Sequence, residues 1–369
     1  MGGMDPFEIF ATAPPGLEAV LLDEVKAMGF EDPRQQPGGV AFQGLWPDVW
    51  RANLCLRGAG QVLARIGAFR AMHLAQLDKR ARKIDWAAHL SPDVTFRVEA
   101  TCRKSRIYHD RAARQRIERA VSEIVGAPLD PKADLRVMLR IEDDLASLSL
   151  DTSGAPLHRR GHKEAVGKAP MRETLAALFL RQMGYSGTEP VLDPMCGSGT
   201  FVLEAAEIAL GLLPGRDRHF AFQDFGSFDA DAFAALKQAH GNDTDLRFYG
   251  SDRDDGAIRG ATANAKRAGI SEYCQFTRAP ITALERPDGP PGLVMVNPPY
   301  GARIGNRKLL FALYGSLGAV LKERFKGWRV GIVTSDGGLA KSTNLPFLPP
   351  SPPIAHGGLR IKLYQTKAL

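Results

Sequence analysis

Cysteine is scarce in this chain, with four among 369 residues: Cys55, Cys102, Cys196 and Cys274. They stand far apart and show no metal-ligand spacing. A disulfide scaffold and a zinc centre are therefore not expected, and reduced thiols in a cytoplasmic protein are. No apolar run approaches the roughly 20 residues a membrane helix needs, so no membrane is expected as a partner. The first residues lack the basic segment, apolar stretch and small-residue cleavage site of a secretory leader. Met1-Gly2-Gly3-Met4 reads as an added extension before a natural start at Met4. Internal repeats are missing as well. What is present is the composition of a soluble globular protein, 44% hydrophobic and 24% charged. The chain is long enough for two or three domains, each with its own core.

The net charge of +7 is unevenly spread. Residues 57–172 hold 23 Lys and Arg against 14 Asp and Glu, while the remainder holds 25 against 27. All of the positive excess lies in one internal region, which fits an anionic partner or a solvated basic face.

Periodicity divides the chain into three segments. Residues 5–56 open with a strand over Phe7–Ala11, the Ala13-Pro14-Pro15-Gly16 turn and a helix from Leu17 to Met28. The facing side of that helix is apolar except for Glu24, and Gly29 ends it. Val40–Phe42 is a second strand, and Trp46-Pro47-Asp48 starts another helix. Residues 57–165 are the basic segment, with an alternating strand over Val94–Thr101. Ile117, Ala120, Val121 and Ile124 then fall at helical spacing, leaving Arg111, Arg114, Arg116 and Arg119 to other faces. A hairpin of Leu135–Ile141 and Leu145–Asp151 completes a small α+β domain. In residues 169–369, short apolar strands alternate with helices, the rhythm of a doubly wound α/β domain. Pro346–Pro353, with five prolines in eight residues, is a loop.

Three motifs carry chemistry. In Val191–Thr200, a buried strand delivers Asp193 to its carboxyl end, and Met195, Cys196, Gly197, Ser198 and Gly199 lead into a helix. Gly197 and Gly199 permit a tight turn and close approach of a ligand. The third glycine of a dinucleotide site is absent, and an acidic residue ahead of the glycines suits a ligand with an ammonium group. Phe248–Asp254 is a second strand ending in an acid, Asp252, which can accept the two hydroxyls of a ribose or cap a helix. Asp193 and Asp252 lie 59 residues apart, which calls for an insertion over about residues 213–245.

The third motif, Asn297-Pro298-Pro299-Tyr300, closes a strand of small and apolar residues. Two prolines fix the backbone and remove two amide donors. The Asn297 side-chain oxygen and the Pro298 carbonyl can then both accept from one NH₂ group. They orient the nitrogen of an aromatic amine, a poor nucleophile, and stabilise the charge that develops on it. Tyr300 can stack on the base.

With these motifs in this order, residues 169–369 resemble a class I S-adenosylmethionine-dependent methyltransferase that methylates amines. The whole chain resembles the THUMP-domain RNA guanine-N2 methyltransferases, most of all the N-terminal catalytic half of the bacterial 23S rRNA enzymes. The matching residues are Leu157–His162, Ala169–Ala177, Asp193–Thr200, Gly250–Asp254 and Asn297–Gly301. The resemblance implies a ferredoxin-like segment over 5–56, an RNA-docking THUMP domain over 57–165 and a methyltransferase domain over 169–369. It implies S-adenosylmethionine as cofactor. Asp193, Gly197 and Gly199 would meet its methionine end and Asp252 its ribose, Met195 and Cys196 would also belong to the cofactor site, and Glu173 and Thr174 would approach from the preceding segment. Asn297, Pro298, Pro299 and Tyr300 would hold the target amine. Arg103, Lys104, Arg106, Arg111, Arg114 and Arg116 would grip RNA phosphates.

Where the family usually has an aspartate near the adenine, this chain has Arg278-Ala279-Pro280-Ile281. Backbone groups then supply that contact, or binding is weaker, or activity has been lost. The implied reaction is methylation of guanine N2 in 23S rRNA. The alternatives are a tRNA guanine-N2 methyltransferase, an enzyme for adenine N6 in DNA or a glutamine side chain, and a non-catalytic RNA-binding or assembly factor.

Overall fold

The computed structural model describes residues 5–164, 171–238, 241–300 and 307–369. Met1–Met4, Ala169, Pro170 and Gly301 lie outside the described residues. In chain order the elements begin with β1 (Phe7–Thr12), α1 (Glu18–Ala27), β2 (Glu31–Gln36), β3 (Gly39–Gly44), α2 (Trp46–Cys55), β4 (Val62–Arg70) and α3 (Leu74–Ala81). Next come β5 (Phe96–Arg103), α4 (Asp110–Val125), β6 (Leu135–Glu142), β7 (Leu145–Asp151), α5 (Glu173–Gln182), β8 (Val191–Asp193), α6 (Thr200–Ala209) and α7 (Ala230–Lys237). The chain closes with β9 (Phe248–Asp252), α8 (Asp255–Arg267), β10 (Cys274–Arg278), β11 (Leu293–Val296), α9 (Arg307–Arg324), β12 (Arg329–Thr334), α10 (Gly337–Ser342), β13 (Ile354–His356) and β14 (Leu359–Gln365). They group into two compact units.

The first unit holds β1, Leu21–Leu157 and Arg218–Gln238. Its sheet has the order β2-β3-β1-β4-β7-β6-β5 and is antiparallel except for the β5–β6 pair. One sheet thus runs through both of the first two sequence segments, because β4 pairs with β1 on one side and β7 on the other. Strand β6 buries Leu135, Val137, Leu139 and Ile141 on one face, the period-two pattern of a half-covered strand. Helix α4 buries Ala113, Ile117, Ala120 and Val121. Ile124, expected on that face, is exposed in the last turn before Gly126, whose φ is +82°. Glu24, the exception on the apolar face of α1, is buried and accepts the amides of Arg57 (2.7 Å) and Gly58 (2.9 Å).

Arg218–Gln238 falls inside the insertion inferred between Asp193 and Asp252, and it packs in this first unit. Phe222, Phe228 and Phe233 cluster with Trp50 of α2, and Phe225 meets Trp46 edge-on at 5.8 Å. The Phe222 amide donates to the Thr152 carbonyl.

The second unit holds Pro14–Val20, His158–Asp217 and the described part of Ala239–Leu369. Its sheet has the order β10-β9-β8-β11-β12-β14-β13. The strands are parallel from β10 to β12, with β14 antiparallel against both β12 and β13. This is a doubly wound sheet whose direction of winding reverses between β8 and β11, where such folds open a crevice beyond the strand ends. The proline-rich stretch is a loop along the outer edge of β14. The Leu348 amide donates to the Gln365 carbonyl at 2.8 Å and the Ser351 amide to the Leu363 carbonyl at 3.1 Å. Prolines between these two contacts carry no further donor, which blunts an otherwise open strand edge.

Candidate active site

The crevice is an open cleft of about 1330 Å³ in the second unit. Two strands end beside it: Asp252, at the end of β9, lines the cleft, whereas Asp193, at the end of β8, lies behind the lining residues Pro194 and Met195. Buried β8 ends at Asp193, which is 3% exposed and accepts the Met195 amide at 3.0 Å. Burial, reinforced by the nearby Asp252 carboxylate, pushes the Asp193 carboxyl up to about 8 against the partial offset of the Met195 amide. Asp252, at the end of neighbouring β9, accepts the Gly197 amide (3.1 Å) and the Asp254 amide (3.0 Å). Met195 and Asp252 both line the cleft.

The two glycines of the turn serve different ends. Gly197 has φ +52°, and a Cβ there would meet nothing within 4 Å, so open space borders its backbone. Gly199 has φ +83°, and a Cβ would lie 3.2 Å from both Ala261 and the Phe276 ring. Its missing side chain answers internal packing and backbone conformation, where the sequence pointed to ligand approach. Cys196 is likewise buried, its sulfur beneath Gly250, and its amide donates to the Ser251 carbonyl. From α8, Asn264 holds the turn by donating to the Ser198 carbonyl at 3.0 Å.

Opposite this turn, β11 delivers Asn297, Pro298, Pro299 and Tyr300, all of which line the cleft. The Asn297 Oδ1 atom is buried and has no hydrogen-bond partner among the described residues. Such an atom costs free energy until something donates to it. Tyr314 of α9, fully buried, reaches the Pro299 carbonyl (3.4 Å) and Thr334 Oγ1 (3.2 Å) through its hydroxyl, fixing the loop from behind. Tyr300 packs partly against the same core, and burial raises its hydroxyl to about 12.

The remaining wall joins Glu173, which the resemblance places near the cofactor, to residues that the sequence motifs left without a role. His158, Arg159 and Lys163 line it, with Arg172 and Glu173 at the start of α5 and His356–Leu359 at the turn between β13 and β14. Lys163 donates to the Met171 carbonyl (2.8 Å) and Thr200 Oγ1 (2.9 Å) and pairs with Glu173 at 3.2 Å. Arg160 pairs with Glu204 of α6 at 3.3 Å, both 2% exposed. Burial lowers the His158 imidazole to about 4, helped by Arg172, Arg159, Arg160 and Lys163. Thr174 is buried in the first turn of α5 and is not a lining residue. Ala279 and Ile281 line the cleft where the usual aspartate is missing. The Ala279 amide is already given to the Asp252 carbonyl at 3.0 Å, so it is no free donor for an adenine. The sequence signals for this wall were the Arg159-Arg160 pair and the Gly357-Gly358 turn between apolar runs.

The basic residues singled out from sequence lie in the first unit. Arg114 is paired with Glu118 (3.2 Å), and Arg119 with Glu123 (2.6 Å). Arg103, Lys104, Arg106, Arg111 and Arg116 have no carboxylate at ion-pair distance among the described residues. Among the described residues no group of three or more His, Cys, Asp or Glu could hold a metal ion. None of the described helices is long and apolar enough to cross a membrane.

Three family models match the chain: the RlmL ferredoxin-like domain over residues 8–63, the THUMP domain over 71–151 and the RMKL-like methyltransferase domain over 160–345. A curated relative from Psychromonas ingrahamii, ribosomal RNA large subunit methyltransferase K/L, is 35% identical over 87% of this chain and 45% of its own length. The chain spans about half the length of the curated relatives it matches. Among solved structures, SMU.472, described as a putative methyltransferase complexed with SAH, superposes with a TM-score of 0.89 at 25% identity, covering 100% of this chain and 99% of the other. A protein from Listeria monocytogenes, described as a predicted N6-adenine-specific DNA methylase, gives 0.90 at 30% identity, covering 100% and 97%. Model matches, relatives and superpositions converge on one assignment: the chain belongs to the RMKL-like methyltransferase-domain family and carries THUMP and RlmL-type ferredoxin-like domains.

Proposed function

We propose that this chain transfers a methyl group from S-adenosylmethionine to the exocyclic N2 amine of a guanine in large-subunit ribosomal RNA. The observation that carries the reading is the buried Asn297 Oδ1, without a partner among the described residues and set in a cleft that Met195 and Asp252 also line. The residues fit the cofactor: a buried carboxylate for an ammonium, a second acid for ribose hydroxyls and open space beside Gly197. When bound, S-adenosylmethionine supplies an electrophilic methyl group on a sulfonium.

The chain's own residues do the rest. Asn297 Oδ1 and the Pro298 carbonyl accept the two N–H groups of the target amine, aim its lone pair and offset the positive charge that grows on nitrogen. Tyr300 stacks on the base and holds it out of its helix. With the cofactor bound, its sulfonium would supply the methyl group to the nitrogen so aimed, leaving as the neutral thioether, and the surplus amine proton would pass to water. Asp193 meets the cofactor's ammonium and Asp252 its ribose. Met195 and Glu173 flank it, while Cys196, Gly197, Gly199 and Thr174 shape the turn and helix that hold these groups.

The THUMP domain and the rRNA methyltransferase named among the relatives support RNA, and ribosomal RNA in particular, as substrate. The DNA methylase description of the Listeria protein supports a second reading, adenine N6, since the same two acceptors suit either amine. The test is methyl transfer from labelled S-adenosylmethionine to separate pools of rRNA, tRNA and DNA, followed by nucleoside analysis. Label in N2-methylguanosine of rRNA is expected. Label in tRNA or in N6-methyladenine would overturn the substrate, and none anywhere, despite cofactor binding, would favour a non-catalytic RNA-binding factor.

A further inference from the structure

Tyr108 is 71% exposed, the most exposed of the large hydrophobic side chains among the described residues. Its ring lies against that of His109 with centroids 4.1 Å apart. The two stand in the turn between β5 and α4, one residue beyond Arg103-Lys104-Ser105-Arg106. A floppy loop would make this exposure trivial, but this loop is held at four points. Arg106 donates its amide to Asp144 Oδ1 (2.8 Å), and Ser105 Oγ accepts the Asp144 amide (3.1 Å) while donating to the Arg103 carbonyl (2.7 Å). Asp110 accepts the Cys102 amide at 2.7 Å, and Ile107 is buried beneath. Asp144 itself adopts φ +63° to do this, as does Lys104 at +47°.

The held loop therefore presents a fixed ring pair beside three cations without ion-pair partners among the described residues. Of the acids around the loop, Glu142 is bonded to Arg140, and Asp144 and Asp110 accept backbone amides. We propose that Tyr108 and His109 form a stacking seat for one unpaired RNA base, with Arg103, Lys104 and Arg106 on the adjoining phosphates. The charge selects a polyanion, and the open ring face selects an unstacked base, which a duplex does not offer. This rests on the RNA reading above and adds to it a site for a single-stranded element outside the methyl-transfer cleft.

The test uses the full chain and two probes: a short single-stranded RNA with one 2-aminopurine, and a duplex of equal length. The wild-type chain should bind the single strand and quench the 2-aminopurine. Tyr108→Ala should weaken single-strand binding roughly tenfold and abolish the quench. Its duplex affinity and unfolding temperature should stay unchanged, and Tyr108→Phe should behave as wild type. A Tyr108→Ala chain that binds and quenches normally, or loses duplex affinity equally, would overturn the seat and leave the ring to a protein contact. A wild-type chain that binds neither RNA would overturn the RNA reading itself.

Discussion

The Asp252 carboxylate accepts the Gly197 amide at 3.1 Å, so the acid ending one strand holds the glycine turn that ends its neighbour. The same residue is the proposed ribose acceptor, and its two tasks are linked. Asp252→Ala should release the turn and remove a charged acceptor, weakening S-adenosylhomocysteine binding by about tenfold or more. Calorimetric titration measures this. Wild-type affinity would detach Asp252 from the cofactor.

Burial pushes Asp193 up to about 8, so at neutral pH its carboxyl is mostly protonated in the free protein. Meeting an ammonium requires the carboxylate. Ligand binding below pH ~8 should therefore release a proton, and affinity for S-adenosylhomocysteine should rise with pH, by up to about tenfold per unit, before levelling off near 8. For folding the sign is opposite. A carboxyl raised above its unfolded value stabilises the fold fully below the unfolded pKa, and loses that contribution as pH climbs through about 8. Asp193→Asn should remove both dependences. A pH-independent Kd in the wild-type chain would contradict the assignment.

Tyr314 ties the Pro299 carbonyl to Thr334. Tyr314→Phe removes one hydroxyl from a fully buried site and should cost about 1 kcal/mol of stability. Because the loop it steadies carries the amine acceptors, kcat should fall while cofactor affinity persists. Denaturant unfolding and steady-state kinetics together check this, and an unchanged kcat would make Tyr314 a packing residue only.

Arg160 and Glu204 are buried together at 3.3 Å. Truncating one member of such a pair leaves a buried charge poorly compensated, so Glu204→Ala should destabilise the chain by about 3–5 kcal/mol. A loss under about 1 kcal/mol in urea unfolding would show that the pair contributes little.

For RNA binding, salt dependence separates the basic residues. Arg103→Ala with Lys104→Ala should reduce the slope of log affinity against log salt by roughly 1.4 to 1.8, at about 0.7–0.9 per phosphate contact. Arg114→Ala should change it less, because Glu118 already neutralises that guanidinium. Equal effects would contradict the distinction.

The motifs of the cleft were legible because each lies where a buried strand must stop and a helix or loop must begin. Asp193, Asp252 and Asn297 all follow short apolar runs, and the sheet brings all three runs side by side. Edge strands were not legible. The sequence of β2, Glu-Asp-Pro-Arg-Gln-Gln, is exposed and polar, and β4 carries Arg65 and Gly67 within its run, so neither shows a clear period. Long-range packing was also hidden. Nothing local in Arg218–Gln238 says that its phenylalanines pack on Trp46 and Trp50, some 170 residues earlier. Nor does the charge count reveal that Arg114 is paired while Arg103 has no ion-pair partner among the described residues. Pairing depends on which residues share a helix turn, and the composition of the segment averages that away.

The most direct test concerns Asn297, whose side-chain oxygen is buried without a hydrogen-bond partner among the described residues. In single-turnover methyl transfer with rRNA, Asn297→Ala should be slower by about 10²–10³, the loss of one preorganised acceptor, while S-adenosylhomocysteine binds as tightly as to wild type. Wild-type turnover in the variant, or an equal loss of cofactor affinity, would contradict the claim that this oxygen holds the target amine.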